Sequence, residues 1–427
     1  DPRLPIIPWY LMTSFVYPHI AIVATILECQ SLNTSSESSY NPTRNDIYQI
    51  VDRIKALQID TLQMVKRSHY LVMWSRIGIY NDAYLDQLCY SDDRKLFEYW
   101  YHAACIIPVS EYPYRLPIME QYRRGLRGSG NKWAKQKQNQ KVIDTVLNEV
   151  GKSGKAKSSD FENTSNKKGS WWNWKPAKRS LEDLYNCGDL AVSNRVSFNK
   201  VYSLTKDVIP AKVIGKRPIT NYEETCLHDL HEALKASGVA TPKQLANYTH
   251  MKLTHAKPLL EILMKSKQSV ALTGEDFHGV RTDLLIHQDN LSILDRAADG
   301  DFSADRTTLL SPFDNLFWAK GRDNALFGFE QILECYKPKP LRRWGYFCLP
   351  ILHQGKLIGR IDPKLDRKSN TLELRKTHLE DRYEPDENTI SALKESILDF
   401  MKFHDAENIN IRLEGNGELA AKLSKSL

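Results

Sequence analysis

Residues 171–205 run WWNWKPAKRSLEDLYNCGDLAVSNRVSFNKVYSLT. Pro176 suits the start of a helix, where its fixed φ is pre-set and its missing N–H is not needed. Gly188 suits the position just past the end, where a left-handed residue closes the helix. Between them Leu181 and Leu184 face a core. After Gly188 come two alternating stretches, DLAVS and NKVYSL, joined by a polar turn, and these predict a pair of strands. A further helix is predicted upstream at Val142–Val150 (VIDTVLNEV). Helix, helix, two-stranded wing is the winged helix-turn-helix pattern, whose second helix can enter a DNA groove.

The same grammar recurs downstream. TPKQLANYTH (241–250) predicts a short helix capped by Thr241 with Pro242 in its first turn. KLTHAKPLLEILMKSKQ (252–268) predicts a second helix, and SVALTG with GVRTDLLIH a hairpin. Upstream, Ile20–Gln30 and Asp46–Leu57 are predicted helices, the second carrying Ile47, Ile50, Val51, Ile54 and Leu57 on one stripe. Leu96–Ile107 fits either a hairpin or a buried helix. From about Leu309 the chain alternates apolar and polar residues, with turns at Gln354-Gly355 and Ser369-Asn370. A closing helix (390–404) and a strand from Ile409 follow. The expected class is α+β: three tandem winged helix-turn-helix domains followed by a small, β-rich, barrel-like C-terminal domain. The expected boundaries are 1–117, 118–218, 219–300 and 301–427.

At 427 residues several cores are expected. Hydrophobic residues at 41% and charged residues at 26% exclude disorder, collagen and coiled coil as the dominant state. The net charge of +7 is unevenly spread. Residues 115–217 hold 22 basic and 9 acidic side chains, a local excess of 13, which leaves the remainder at −6. A basic middle between acidic flanks suits a polyanion, nucleic acid above all. The seven cysteines stand singly with no CxxC, so buried reduced thiols are expected rather than a zinc site or disulfide framework. Leu4–Leu27 is apolar, but Pro5, Pro8, Pro18 and His19 interrupt it; it predicts a core helix in its second half rather than a signal peptide or membrane span. The expected location is intracellular and DNA-associated. No P-loop or GxGxxG follows a strand, and neither metal nor cofactor is expected.

The tripeptide Gln58-Ile59-Asp60 can carry chemistry. In extended chain residues i and i+2 point to one side, so an amide and a carboxylate would face one cleft with Ile59 buried, able to orient and polarise a single water. The alternative is that Asp60 caps a helix starting at Thr61. Lys66 invites comparison with a Schiff-base lyase, although a surface or phosphate-contacting role suits it better. The run Trp171, Trp172, Trp174, Lys175, Lys178, Arg179 fits a DNA face, with core anchoring as the other reading of the tryptophans. Arg67, His69, Arg76, Arg195 and Arg281 complete the candidate DNA contacts, His69 having a buried core position as its alternative.

The surrounding blocks LQIDTLQMVKRSHYLVMWSRIGIYNDAYLDQL, LFEYWYHAACIIP, the 171–205 stretch, LLSPFDNLFWAKGRDNALFGF and RRWGYFCLPILHQGKLIGRIDPKLDRK resemble, in order, the crosslink-repair DNA glycosylases of the YcaQ/AlkZ type. The resemblance spans about Gln58 to Arg367. It implies three winged helices and a β domain presenting a basic concave surface to duplex DNA. It also implies hydrolysis of the N-glycosidic bond of N7-alkylated purines, unhooking of interstrand crosslinks, and a Gln-aliphatic-Asp catalytic motif, here Gln58 and Asp60. The family often has a His-His pair where this chain has Arg67-Ser68-His69-Tyr70. The expected partner is double-stranded DNA with alkylated or crosslinked purines, bound by a monomer without metal. The rival readings are a winged-helix regulator, which would have no use for the QID pair, and an RNA-binding protein, which the absence of an RRM signature disfavours.

Overall fold

The computed structural model describes residues 15–34, 40–128, 136–161, 174–413 and 417–426. The chain packs as two compact units, one comprising Asp1–Tyr84, Tyr101–Cys105 and Asp229–Leu427, the other Leu85–Trp100 and Ile106–His228. Helix His19–Cys29 is apolar on all sides and buries residues from Ala21 through Leu27. Such a helix needs partners around its whole circumference, and it finds them in Val239, Leu272, Leu284, Leu294, Leu352 and Leu357, far along the chain. The strand Val16–Tyr17 pairs in parallel with Ser269–Glu275. The predicted core helix is thus present, but its core is built by residues more than 200 positions away.

In the same unit Thr43 and Asp46 form a capping box for helix Arg44–Ile54, which buries Ile47, Val51 and Ile54. The helix stops short of the expected Leu57 because Lys55 turns left-handed at φ 64°. Its ammonium is held there by Asp52 and Glu232 at 3.0 and 3.2 Å. That stop sends Ala56 onward into extended chain, which places Gln58 at the end of the strand Leu57–Gln58.

The second repeat of the helix–helix–hairpin order follows the sequence closely. Helix Pro242–Tyr248 starts from a Thr241/Gln244 capping box, and helix Leu253–Lys265 precedes the hairpin Ser269–Glu275/Arg281–His287. The C-terminal sheet runs Thr307–Leu309, Leu349–His353, Lys356–Asp366, Thr371–Leu379, Asn408–Ile411. Its first four strands are antiparallel, and bulges at Ile351/Leu352 and Asp362/Pro363 bend it. The last strand is parallel to its neighbour, because helix Glu387–Phe403 carries the chain back across the sheet before it enters. The two outer strands are not joined to each other, so among the described residues this is an open, bent sheet rather than a closed barrel.

The other unit contains residues 171–205. Helix Trp174–Asn186 begins two residues before Pro176 and closes on Gly188 at φ 80°, where a Cβ would collide with the Met119 sulfur. Leu181 and Leu184 are buried. Strands Leu190–Val196 and Asn199–Leu204 pair in antiparallel register. Ser197 and Phe198 between them both take positive φ, the geometry a tight two-residue hairpin turn demands. Ala156–Lys157 adds a third strand, and the helix predicted at Val142–Val150 extends over Lys137–Ser153. Leu96–Ile107, open between hairpin and helix, contains two strands, Leu96–Trp100 and Ala104–Pro108. All seven cysteines are free thiols, buried except for the half-buried Cys335. No helix of the described residues is long and apolar enough to cross a membrane.

Candidate active site

The segment carrying Gln58 and Asp60 is fixed from several directions. The Ile59 N–H donates to the Ala104 carbonyl at 2.8 Å. Just upstream, the buried Asn315 amide donates to the carbonyls of Ala56 and Ile54 at 3.0 and 3.3 Å. Downstream, the Leu365 N–H reaches the Met64 carbonyl at 2.8 Å, and the Arg367 guanidinium reaches the carbonyls of Gln63 and Val65 at 3.3 and 3.1 Å. The C-terminal sheet and the 309–318 block therefore clamp the backbone on both sides of the tripeptide.

The Asp60 carboxylate accepts the Leu62 N–H at 2.8 Å. This is a local Asx turn and not a helix cap: the chain from Ile59 to Arg67 contains no helix, and the next one begins at Ser68. The helix-cap alternative is therefore set aside. Gln58, Ile59 and Asp60 are all half-buried. Ile59 is less enclosed than the alternation predicted, because the strand ends at Gln58. Half-burial raises the Asp60 pKa, against the opposing pull of the Leu62 N–H and the Arg67 guanidinium. The Gln58 amide is tied by no side-chain hydrogen bond to another described residue. A carboxylate made more basic by partial loss of water, beside an uncommitted amide, is suited to holding and deprotonating one water molecule.

Near this carboxylate lie residues the sequence did not single out. The Cys335 thiol is pushed up first by burial and then by the Asp60 charge, and the exposed Tyr336 phenol by Cys335 and then by Asp60. Asn315, which lies in one of the blocks that carry the family resemblance, is not marked by the sequence either. Nothing in the spacing of a sequence shows that residues 259 to 276 positions apart meet.

The candidate DNA contacts divide. Arg67 is half-buried next to Asp60. Lys178 and Arg179 are exposed on helix Trp174–Asn186, and Arg281 is exposed where its hairpin strand begins. Trp174 and Lys175 lie in the first turn of that helix, their side chains outside what is described, and Trp172 lies outside the described residues. Three others are enclosed or already paired within the protein. Arg76 is enclosed, forming a two-point ion pair with Asp314 at 2.6 and 2.9 Å and donating to Gln30 and the Val72 carbonyl. Its donors are used inside the protein. Arg195 grips the buried Glu98 through two bonds of 2.7 and 2.6 Å and donates to the Phe198 carbonyl, which pins the strand that carries it. His69 is 4% exposed and packs against Tyr70, which is the core position weighed as its alternative. Lys66 is also committed, its ammonium meeting Asp82 and lying 4.5 Å from the centre of the Phe403 ring.

The family model for DNA glycosylase AlkZ-like proteins matches residues 51–403, most of the chain and the whole of the segment just described. The chain belongs to the AlkZ-like DNA glycosylase family. It is accordingly a DNA glycosylase, a repair hydrolase whose partner is DNA. Among solved structures it is similar to Streptomyces sahachiroi DNA glycosylase AlkZ, with 13% identity, a TM-score of 0.62, and coverage of 93% of this chain and 100% of that one. At that identity the likeness speaks for the fold: the AlkZ-like architecture persists although about seven in eight aligned residues differ.

Proposed function

We propose that this glycosylase hydrolyses the N-glycosidic bond of N7-alkylated purines in duplex DNA and unhooks interstrand crosslinks made through such purines, with Gln58 and Asp60 as its catalytic pair. On this reading three winged helices hold the duplex and the protein acts as a monomer. The observation that carries the proposal is the half-buried Asp60 carboxylate with its raised pKa, next to an uncommitted Gln58 amide.

Hydrolysis of a glycosidic bond ordinarily needs an acid to protonate the leaving group as well as a base or nucleophile. An N7-alkylated purine already carries a positive charge. When its C1′–N9 bond breaks, the electron pair moves onto the ring and the base departs neutral, with no proton supplied. The sugar is left as an oxocarbenium ion, which the negative charge of Asp60 stabilises. Water held by the Gln58 amide then adds to C1′ and passes its proton to Asp60. One carboxylate is sufficient, which agrees with the commitment of Lys66 to Asp82.

The test is release of 7-methylguanine from a duplex oligonucleotide, and strand separation of a nitrogen-mustard crosslink on a denaturing gel. The wild type is expected to do both. Asp60→Asn is expected to slow release by roughly 10²- to 10⁴-fold, the range for loss of a positioned base, and Gln58→Ala to slow it less. Release by the wild type equalled by both variants would remove the pair from the mechanism.

A further inference from the structure

The segment Glu334–Gly345, ECYKPKPLRRWG, forms a braced loop that the proposed mechanism does not use. One carboxylate holds its two ends together. Glu334 is 2% exposed and accepts the N–H groups of Arg343, Trp344 and Gly345 at 3.2, 2.7 and 3.3 Å, as well as the Lys337 ammonium at 3.0 Å. Burial alone would raise its pKa, but the Trp344 amide, the Lys337 ammonium and the other amides hold it at about 2. Inside the loop, Pro338 and Pro340 fix the backbone, the Leu341 N–H closes onto the Pro338 carbonyl at 2.9 Å, and Arg342 Nε onto that of Lys337 at 2.8 Å.

This rigid frame holds two large side chains out in solvent: Tyr336 is 81% exposed and Leu341 68%. Lys339 and Arg343 are exposed beside them. An apolar side chain kept in water on a rigid support adds nothing to the core; flanked by cations in a DNA enzyme, it matches the apolar wedges that enter a base stack.

The strand Lys356–Asp366 brings this loop to the reacting centre. Its Asp362 accepts the N–H groups of Tyr346 and Phe347 at 3.0 Å each, just past the loop. Three residues further, Leu365 holds Met64, four residues beyond Asp60. At about 3.3 Å of rise per residue, the two anchor points are about 10 Å apart. The influence of the Asp60 charge on the Tyr336 phenol agrees with that placement.

We infer that the loop enters the duplex beside the target nucleotide, with the Tyr336 ring stacking on the neighbouring base and Leu341 wedging the step open, so that C1′ is held over Asp60. Tyr336 and Leu341 are positioning residues on this account, and the inference rests on the reading of Asp60 as catalytic.

The experiment uses the full chain and a duplex carrying one 7-methylguanine with 2-aminopurine as its neighbour. Wild type is expected to change the 2-aminopurine fluorescence on binding, and so is Asp60→Asn, in which no cleavage interferes. Tyr336→Ala with Leu341→Ala is expected to lose that change and to slow single-turnover release about five- to hundredfold, the loss expected for one base–aromatic stack. Tyr336→Phe, which keeps the ring, is expected to restore both. The melting temperature and the salt dependence of binding should be unaltered, since no buried group and no charge is removed. A double variant with wild-type release and wild-type fluorescence would overturn the inference, and so would slowed release with the fluorescence change intact or not rescued by Tyr336→Phe. If instead Asp60→Asn releases base as fast as wild type, it is the catalytic reading that fails, whatever the loop variants do.

Discussion

Asp60 is a carboxylate whose charge the folded protein disfavours, because half-burial outweighs the Leu62 N–H and Arg67. Its pKa is near 3.9 in the unfolded chain and higher in the folded one. The penalty is therefore absent below the unfolded value, grows as pH rises toward the folded value, and is complete above it. Asp60→Asn removes the charge and keeps an oxygen able to accept the Leu62 N–H. It is expected to melt at or above the wild-type temperature at pH 7, the gap closing as pH falls toward about 4. Its base release should be lost throughout, while wild-type release should decline on the acid side with a midpoint above that of an ordinary aspartate. A variant melting well below wild type at pH 7 would make the carboxylate a structural prop instead. The QID tripeptide and its neighbour Arg67 were legible in the sequence because they are contiguous. Asn315, Cys335 and Tyr336 were not, because they reach Asp60 or the backbone leading to it through folding alone.

At the scale of elements, local chemistry was well marked and long-range pairing was not. The Thr43 and Thr241 capping boxes, the closure at Gly188 and the hairpin after it all follow from residues within a few positions of each other. The arginines show the limit. Arg76 and Arg195 looked like phosphate ligands because a sequence gives a cation's position and not its partner; Asp314 lies 238 residues from the first and Glu98 lies 97 from the second. Both pairs are nearly dry, with side-chain exposures of 0% and 0% for Arg76–Asp314 and of 13% and 2% for Arg195–Glu98. Removing one partner leaves the other charge buried and unpaired, at a cost of about 3–5 kcal/mol. Arg76→Ala is expected to lower stability to denaturant by that order, and Arg195→Ala somewhat less, since its pair is wetter. Chemical denaturation reads this directly. Loss of DNA affinity without loss of stability in Arg195→Ala would return that residue to the DNA face.

The positive charge excess and the proposed catalytic pair fall in different units of the whole molecule. Residues 115–217, with their excess of 13 positive charges, fall within the unit that includes Ile106–His228, whereas Gln58 and Asp60 belong to the other unit. Each phosphate neutralised by a lysine or arginine releases counterions and steepens the salt dependence of binding by about 0.9 in log–log slope. Replacing Lys175, Lys178 and Arg179 together should therefore weaken duplex binding and flatten that slope by up to about 3. Arg195→Gln, from the same basic region but bound to Glu98, should leave the slope unchanged. Binding energy that is equal in ground and transition states sets affinity and not the rate of the bound complex. Single-turnover release at saturating triple variant should thus match wild type, and only the concentration needed to saturate should rise. A lowered rate at saturation would mean that the helix Trp174–Asn186 also positions the lesion, and an unchanged salt slope would move the DNA surface away from that helix altogether.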